Sequence, residues 1–151
     1  MSPSDLAARE INYLQPFDHF GEPAEDHSIK VAASLTHFSE QMSSIIKTME
    51  PVEICRMGGA GNKCNNLAIG NVDCYIHPSP GLCYWDLCAP ESLVKGMGGY
   101  ATNLAQERLT YFPDGNRKLK GLILARNPPM YRMIERRMGD MLKNIMSIVK
   151  L

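Results

Sequence analysis

The sequence carries no excess of either charge: sixteen lysines and arginines balance sixteen aspartates and glutamates across 151 residues. Holding a nucleic-acid backbone needs a net positive field, so no nucleic-acid polymer is expected as the partner. Long hydrophobic runs are also missing. Nothing approaches the roughly 20 consecutive apolar residues of a transmembrane helix, which argues against a membrane span. Residues 1–17 lack both a basic segment and a continuous apolar run, and no targeting signal is expected there. The five cysteines (Cys55, Cys64, Cys74, Cys83 and Cys88) form no Cys-x-x-Cys pair, and the only candidate zinc ligand near them is His77. An odd cysteine count without metal spacing fits free thiols in a reducing compartment, so the expected location is cytoplasmic.

What is present is ordinary for a single globular domain: 44% hydrophobic and 21% charged residues. A chain of this length buries roughly two-thirds of its unfolded surface and needs no disulfide or structural metal to hold a core. The charge is distributed unevenly. Residues 1–27 carry six acids against Arg9, a balance of −5, while residues 115–151 carry nine bases against Glu135 and Asp140, a balance of +7. Either an anionic partner meets one end, or two solvated faces differ and dock on each other.

Ser2-Pro3-Ser4-Asp5 has the form of a helix start, and the helix would run to about Leu14. Residues 15–27, with two prolines, a glycine and four acids, read as a linker. From there strand-like and helix-like segments alternate. Strands are expected at Ile29–Ser34, Val52–Met57, Asp73–His77, Leu109–Phe112 and Leu122–Ala125. Helices are expected at Phe38–Met49, from the Gly58-Gly59-Ala60-Gly61 run to Ile69, from Trp85-Asp86 to about Met97, and as one long C-terminal helix after Pro128-Pro129. Strands separated by single helices give the α/β class, a sheet covered by helices.

Three segments could carry chemistry. Gly58-Gly59-Ala60-Gly61-Asn62-Lys63 joins a strand to a helix, where backbone N–H groups and the helix N-terminus attract an anion and Lys63 could reach it. Its spacing is not that of a Walker A loop, and close packing is the other use of such glycines. Trp85-Asp86-Leu87-Cys88-Ala89-Pro90-Glu91 places a carboxylate at a helix start, as an N-cap or as a Mg²⁺ ligand, with Trp85 read as a core aromatic. Glu91 and Asp73 are possible further ligands or solvated surface acids. Ser34-Leu35-Thr36-His37 follows the first strand, where hydroxyls and an imidazole suit ligand contact or helix capping.

Taken in order, these segments are not independent. Gly-Gly-Ala-Gly-Asn-Lys (58–63), Ser-Pro-Gly (79–81), Trp-Asp-x-Cys-Ala-Pro-Glu (85–91), Gly-Gly (98–99) and Leu-x-Tyr (109–111) together resemble the inositol monophosphatase-like superfamily. Within it, the Cys-Ala-Pro-Glu and GGAGNK versions are similar to those of the 3′(2′),5′-bisphosphate nucleotidases. The likeness covers about residues 28–151, and residues 1–27 have no counterpart in it. It implies the C-terminal α/β/α domain of the sugar-phosphatase-like fold, facing the substrate.

The resemblance further implies Mg²⁺-dependent hydrolysis of a phosphomonoester, releasing phosphate from 3′-phosphoadenosine 5′-phosphate. Asp86 would be the metal ligand, and Ser34, His37, Gly59 and Lys63 would contact an adenosine bisphosphate-type ligand. Two departures stand out. The family has Ser-Arg-Ser-His or Thr-Arg-Ser-His where this chain has Ser-Leu-Thr-His, so Leu35 replaces a cation. The glutamate and Asp-Pro-[ILV]-Asp-[GS]-[ST] motif of the family's N-terminal domain, which supplies most metal ligands, is absent, and no Asp-Pro pair occurs anywhere. The expectation is therefore a truncated member that lacks the N-terminal domain and is not catalytic alone, or a non-catalytic subunit of a larger assembly. In either case a partner chain could cover the face of the missing domain.

Overall fold

The structure, a computed structural model, describes residues 21–79, 81–111 and 119–148. The helix expected over 2–14 lies outside them. The chain forms β1 (Lys30–Ser34), α1 (Glu40–Lys47), β2 (Glu53–Met57), α2 (Ala60–Ala68), β3 (Cys74–His77), α3 (Tyr84–Gly96), β4 (Tyr100–Thr102), β5 (Leu122–Ala125), α4 (Pro128–Met138) and α5 (Asp140–Ile148). The strands make one mixed sheet in the order β2-β1-β3-β5-β4, with β1 parallel to β2 and β3, and β5 antiparallel to β3 and β4.

Alternation along the strands divides the core into two layers. Val31, Ala33, Cys74, Ile76, Ile123 and Ala125 face α1, α4 and α5, whereas Ala32, Tyr75, Leu122 and Leu124 face α2 and α3. Because helices cover both faces, β1, β3 and β5 read as nearly continuous apolar runs. The result is an α/β/α sandwich.

Three expectations are corrected. Of the strand expected over Leu109–Phe112, the described residues 109–111 are not a strand: Thr102 forms one isolated bridge with Arg108, and β4 occupies the sheet edge. A tight turn accounts for this, since Asn103 exchanges backbone and side-chain hydrogen bonds with Glu107 and ends the pairing after one bridge. Leu109 still buries its side chain beside α2 and α3, while Phe112 lies outside the described residues. The long C-terminal helix is two helices, because Gly139 takes a left-handed φ of 51° between Met138 and Asp140. Its apolar stripe continues across the break through Leu142 and Ile145. Finally, α1 is capped by neither Ser34 nor Thr36. Ser39 Oγ accepts the Met42 N–H at 3.2 Å.

The edge of the sheet where β1 and β3 begin is closed by a charge cluster. The Asp73 carboxylate accepts from Lys30 N at 2.9 Å and Arg126 Nη1 at 2.8 Å, and lies 3.1 Å from His27 Nε2. Asp73 is buried, contrary to its reading as a solvated acid or a ligand. The acidic 21–27 segment does dock on the basic C-terminal part, but through its carbonyls. Arg137 donates to the Glu25 and His27 carbonyls at 2.9 and 2.7 Å, and Asn127 Nδ2 to the Gly21 carbonyl at 3.0 Å. Asp73→Ala would remove the carboxylate that a buried guanidinium and a strand N–H share. Urea unfolding of this variant is expected to lose about 3 kcal/mol relative to the parent, and a loss under about 1 kcal/mol would contradict the buried pairing.

Candidate functional site

At the opposite edge of the sheet, β1, β2 and β3 end at a cavity formed by the described residues. The chain leaving β1 turns to α1 on one face, while the chain leaving the neighbouring β3 turns to α3 on the other. Adjacent strands that part in this way leave a crevice at their C-terminal ends. A cavity of about 380 Å³ sits here. Ser34, Thr36 and His37 line it from the end of β1, and Gly58, Gly59, Ala60 and Lys63 from the start of α2. Tyr75, His77, Ser79, Gly81 and Leu82 complete it from β3 and the turn after it.

Its geometry follows from the register of β1 with β2, which sets Ser34 beside Met57 and delivers the glycines directly to the sheet edge. Gly59 is the N-cap of α2 with φ of 78°, a conformation that disfavours L side chains, and no side chain caps the helix there. The first N–H groups of α2 are therefore not covered by a capping oxygen. Lys63, one turn in, is buried; its Nζ donates to the Met57 carbonyl at 3.1 Å and lies 5.1 Å from the centre of the Tyr75 ring. Burial pulls this ammonium below its ordinary pKa. Ser34 Oγ accepts the His37 N–H at 3.2 Å, bending the chain so that His37 meets the cavity.

Ser34, His37, Gly59 and Lys63 thus come together around one cavity. Asp86 does not line it. It lies exposed in the first turn of α3, whose N-cap is Cys83, so Asp86 is not the cap either. Its charge still reaches the lining: it is one cause, after burial and Cys64, of the upward shift of the Tyr75 phenol. Trp85, expected in the core, is 60% exposed. Glu91 is 1% exposed rather than solvated; Tyr111 Oη donates to its Oε2 at 3.2 Å and Lys95 Nζ lies 3.0 Å from its Oε1. Leu35 is 51% exposed, and Arg56, stacked 4.6 Å from the centre of the Phe38 ring, donates to the Ser34 and Leu35 carbonyls. A cation therefore reaches this loop from β2, outside the cavity lining.

Sequence reasoning missed Tyr75, His77 and Ser79. The signal was their place: β3 was recognised as a strand, and a parallel strand next to β1 must end at the same crevice. Lys63 and both histidines bring nitrogen bases to the cavity, and among the described residues no carboxylate lines it. Helix N-terminus, ammonium and hydroxyls together favour an anion.

A profile of the inositol monophosphatase family matches residues 22–133. The chain belongs to this family. It is 36% identical over 92 residues to human 3′(2′),5′-bisphosphate nucleotidase 1, which takes in 61% of this chain and 29% of that protein. The mouse protein of the same name is 37% identical over 89 residues, or 59% of this chain and 28% of the other. The chain therefore matches less than a third of the length of these relatives. Its fold is that of inositol monophosphatase II from Staphylococcus aureus, with a TM-score of 0.64 at 16% identity over 85% of this chain and 48% of the other.

The cavity's electrostatics can be read in solution through His77, whose pKa is pushed down to about 4 by burial and then by Lys63 and His37. The unfolded chain protonates near 6.5 while the folded chain resists until about 4. Stability carried by the neutral ring is complete above pH 6.5 and falls with acid by up to about 1.4 kcal/mol per pH unit across that window. Denaturant midpoints at pH 7, 6 and 5 should decline in the parent and decline less in His77→Phe; equal slopes would refute the assignment.

Proposed function

We propose that this chain is the substrate-facing part of a 3′(2′),5′-bisphosphate nucleotidase and binds an adenosine bisphosphate-type ligand. The observation that carries the reading is the buried Lys63 ammonium at the N-terminus of α2, in a cavity lined by no carboxylate among the described residues. Lys63 and the first turn of α2 would hold a phosphate group, with Ser34, Gly59 and His37 fixing its orientation. The likeness to the human and mouse nucleotidases supports the nucleoside bisphosphate over other phosphate esters.

Hydrolysis by this polypeptide alone does not form part of the reading. The family resemblance implies Mg²⁺, but the donor set does not fit it. Asp86 is a single exposed carboxylate, and the described residues contain no group of three or more His, Cys, Asp or Glu side chains able to hold a metal. Mg²⁺ demands near-octahedral oxygen coordination that one carboxylate cannot impose. Catalysis would need ligands from a further polypeptide segment. A second reading, a non-catalytic subunit, draws on Trp85 and Leu35, which are 60% and 51% exposed on the segments that follow β3 and β1. Free thiols at all five cysteines are in keeping with a cytoplasmic location.

Calorimetric titration of the chain with adenosine 3′,5′-bisphosphate should show one site, weakened at least tenfold in Lys63→Ala, the range expected for a lost charge-assisted contact. An absence of heat would reject the reading. With Mg²⁺ and 3′-phosphoadenosine 5′-phosphate, the chain alone should release no phosphate; release that disappears in Asp86→Ala would show that the metal site is complete.

A further inference from the structure

His77 has no part in the resemblance, yet it is a buried polar group of the cavity lining. It ends β3, is 8% exposed, and its Nε2 lies 3.2 Å from Ser79 Oγ. Its Nδ1 is buried and has no hydrogen-bond partner among the described residues. A neutral imidazole offers one donor and one acceptor, so one of these valences is left over in either tautomer. Such a group needs an explanation, since nearly all buried polar atoms are paired.

The groups facing the ring come from three elements. Lys63 reaches in from α2 and His37 from the loop after β1, both bases, while Tyr75 on β3 keeps its phenol protonated. Asp86, at the start of α3, lies outside the lining. The cavity thus holds His77 away from water and beside Lys63 and His37, with no carboxylate in its lining among the described residues, which keeps it neutral. Two negative charges arriving within a few ångströms reverse this balance. The attraction of a dianion for the imidazolium opposes the cost of burial first, and then the repulsion from Lys63 and His37.

We infer that His77 is a ligand-reading residue that enters binding neutral and takes up one proton from solvent when a doubly charged group fills the cavity. The imidazolium then donates through Nε2 to Ser79 Oγ and offers its Nδ1–H to the anion, and the Ser79 hydroxyl is free to donate to the anion as well. Such a device selects dianions over monoanions, because only the second negative charge makes protonation favourable. This inference rests on the proposed anion-binding role of the cavity and adds the residue that counts the ligand's charge.

The probe is sulfate, which does not itself titrate above pH 3, compared with the monoanion nitrate. Titration calorimetry of the full chain at pH 6, in two buffers of different ionisation enthalpy, gives the protons taken up per ligand. The parent should take up about one proton per sulfate and bind at least tenfold more tightly at pH 6 than at pH 8. His77→Gln should lose the uptake and the pH dependence, and Ser79→Ala should weaken sulfate more than nitrate. Imidazole NMR of the parent gives a readout independent of any variant: the His77 ring should move to the imidazolium position on saturation with sulfate at pH 6. Sulfate binding without proton uptake, a ring that stays neutral, or uptake unchanged in His77→Gln and therefore belonging to His37 each overturns this inference alone. No heat from either sulfate or adenosine 3′,5′-bisphosphate overturns the anion-binding role together with it.

Discussion

A buried ammonium with no carboxylate partner among the described residues sets the character of the sheet edge where β1, β2 and β3 end. Lys63 gives up much of its hydration and receives in exchange one carbonyl and the face of one aromatic ring. That is weak compensation for a desolvated cation, as the downward shift of its pKa records. Everything around it follows the same sign. The start of α2 lines the same space with no side-chain cap among the described residues, and His77 is held neutral. A cavity of that character favours negative charge over positive.

The backbone that creates this arrangement was largely legible from the residues. The strands ending at Ser34, Met57 and His77, and the glycine-led entry to α2, follow from apolar runs and turn residues that local chemistry dictates. Ser34, His37, Gly59 and Lys63 were singled out and do share a cavity. What could not be read was set by tertiary contact. Nothing local distinguishes Gly139 as a helix break from a tolerated helical glycine, because apolar spacing continues on both sides. Glu91 has the composition of a surface residue but is drawn inward by Tyr111, and Trp85 looks like core but lies at the surface. In each case the local signal was correct about residue type and silent about which neighbour would be there.

The two ends of the sheet solve opposite problems with the same kinds of side chain. At one end, Asp73 meets His27, Arg126 and a strand N–H, so its charge is matched within the fold and the segment after residue 20 is tied down. At the other end the charges are left unmatched. Breaking a matched buried cluster removes stability, whereas an unmatched one has already lowered stability and regains it when a complementary ion arrives. The sheet keeps the two regions apart: Asp73 precedes β3 and His77 ends it, four residues later. The same short strand carries a histidine-facing carboxylate at its start and a carboxylate-free histidine at its end. The first is matched within the fold; the second faces a cavity lined by no carboxylate among the described residues.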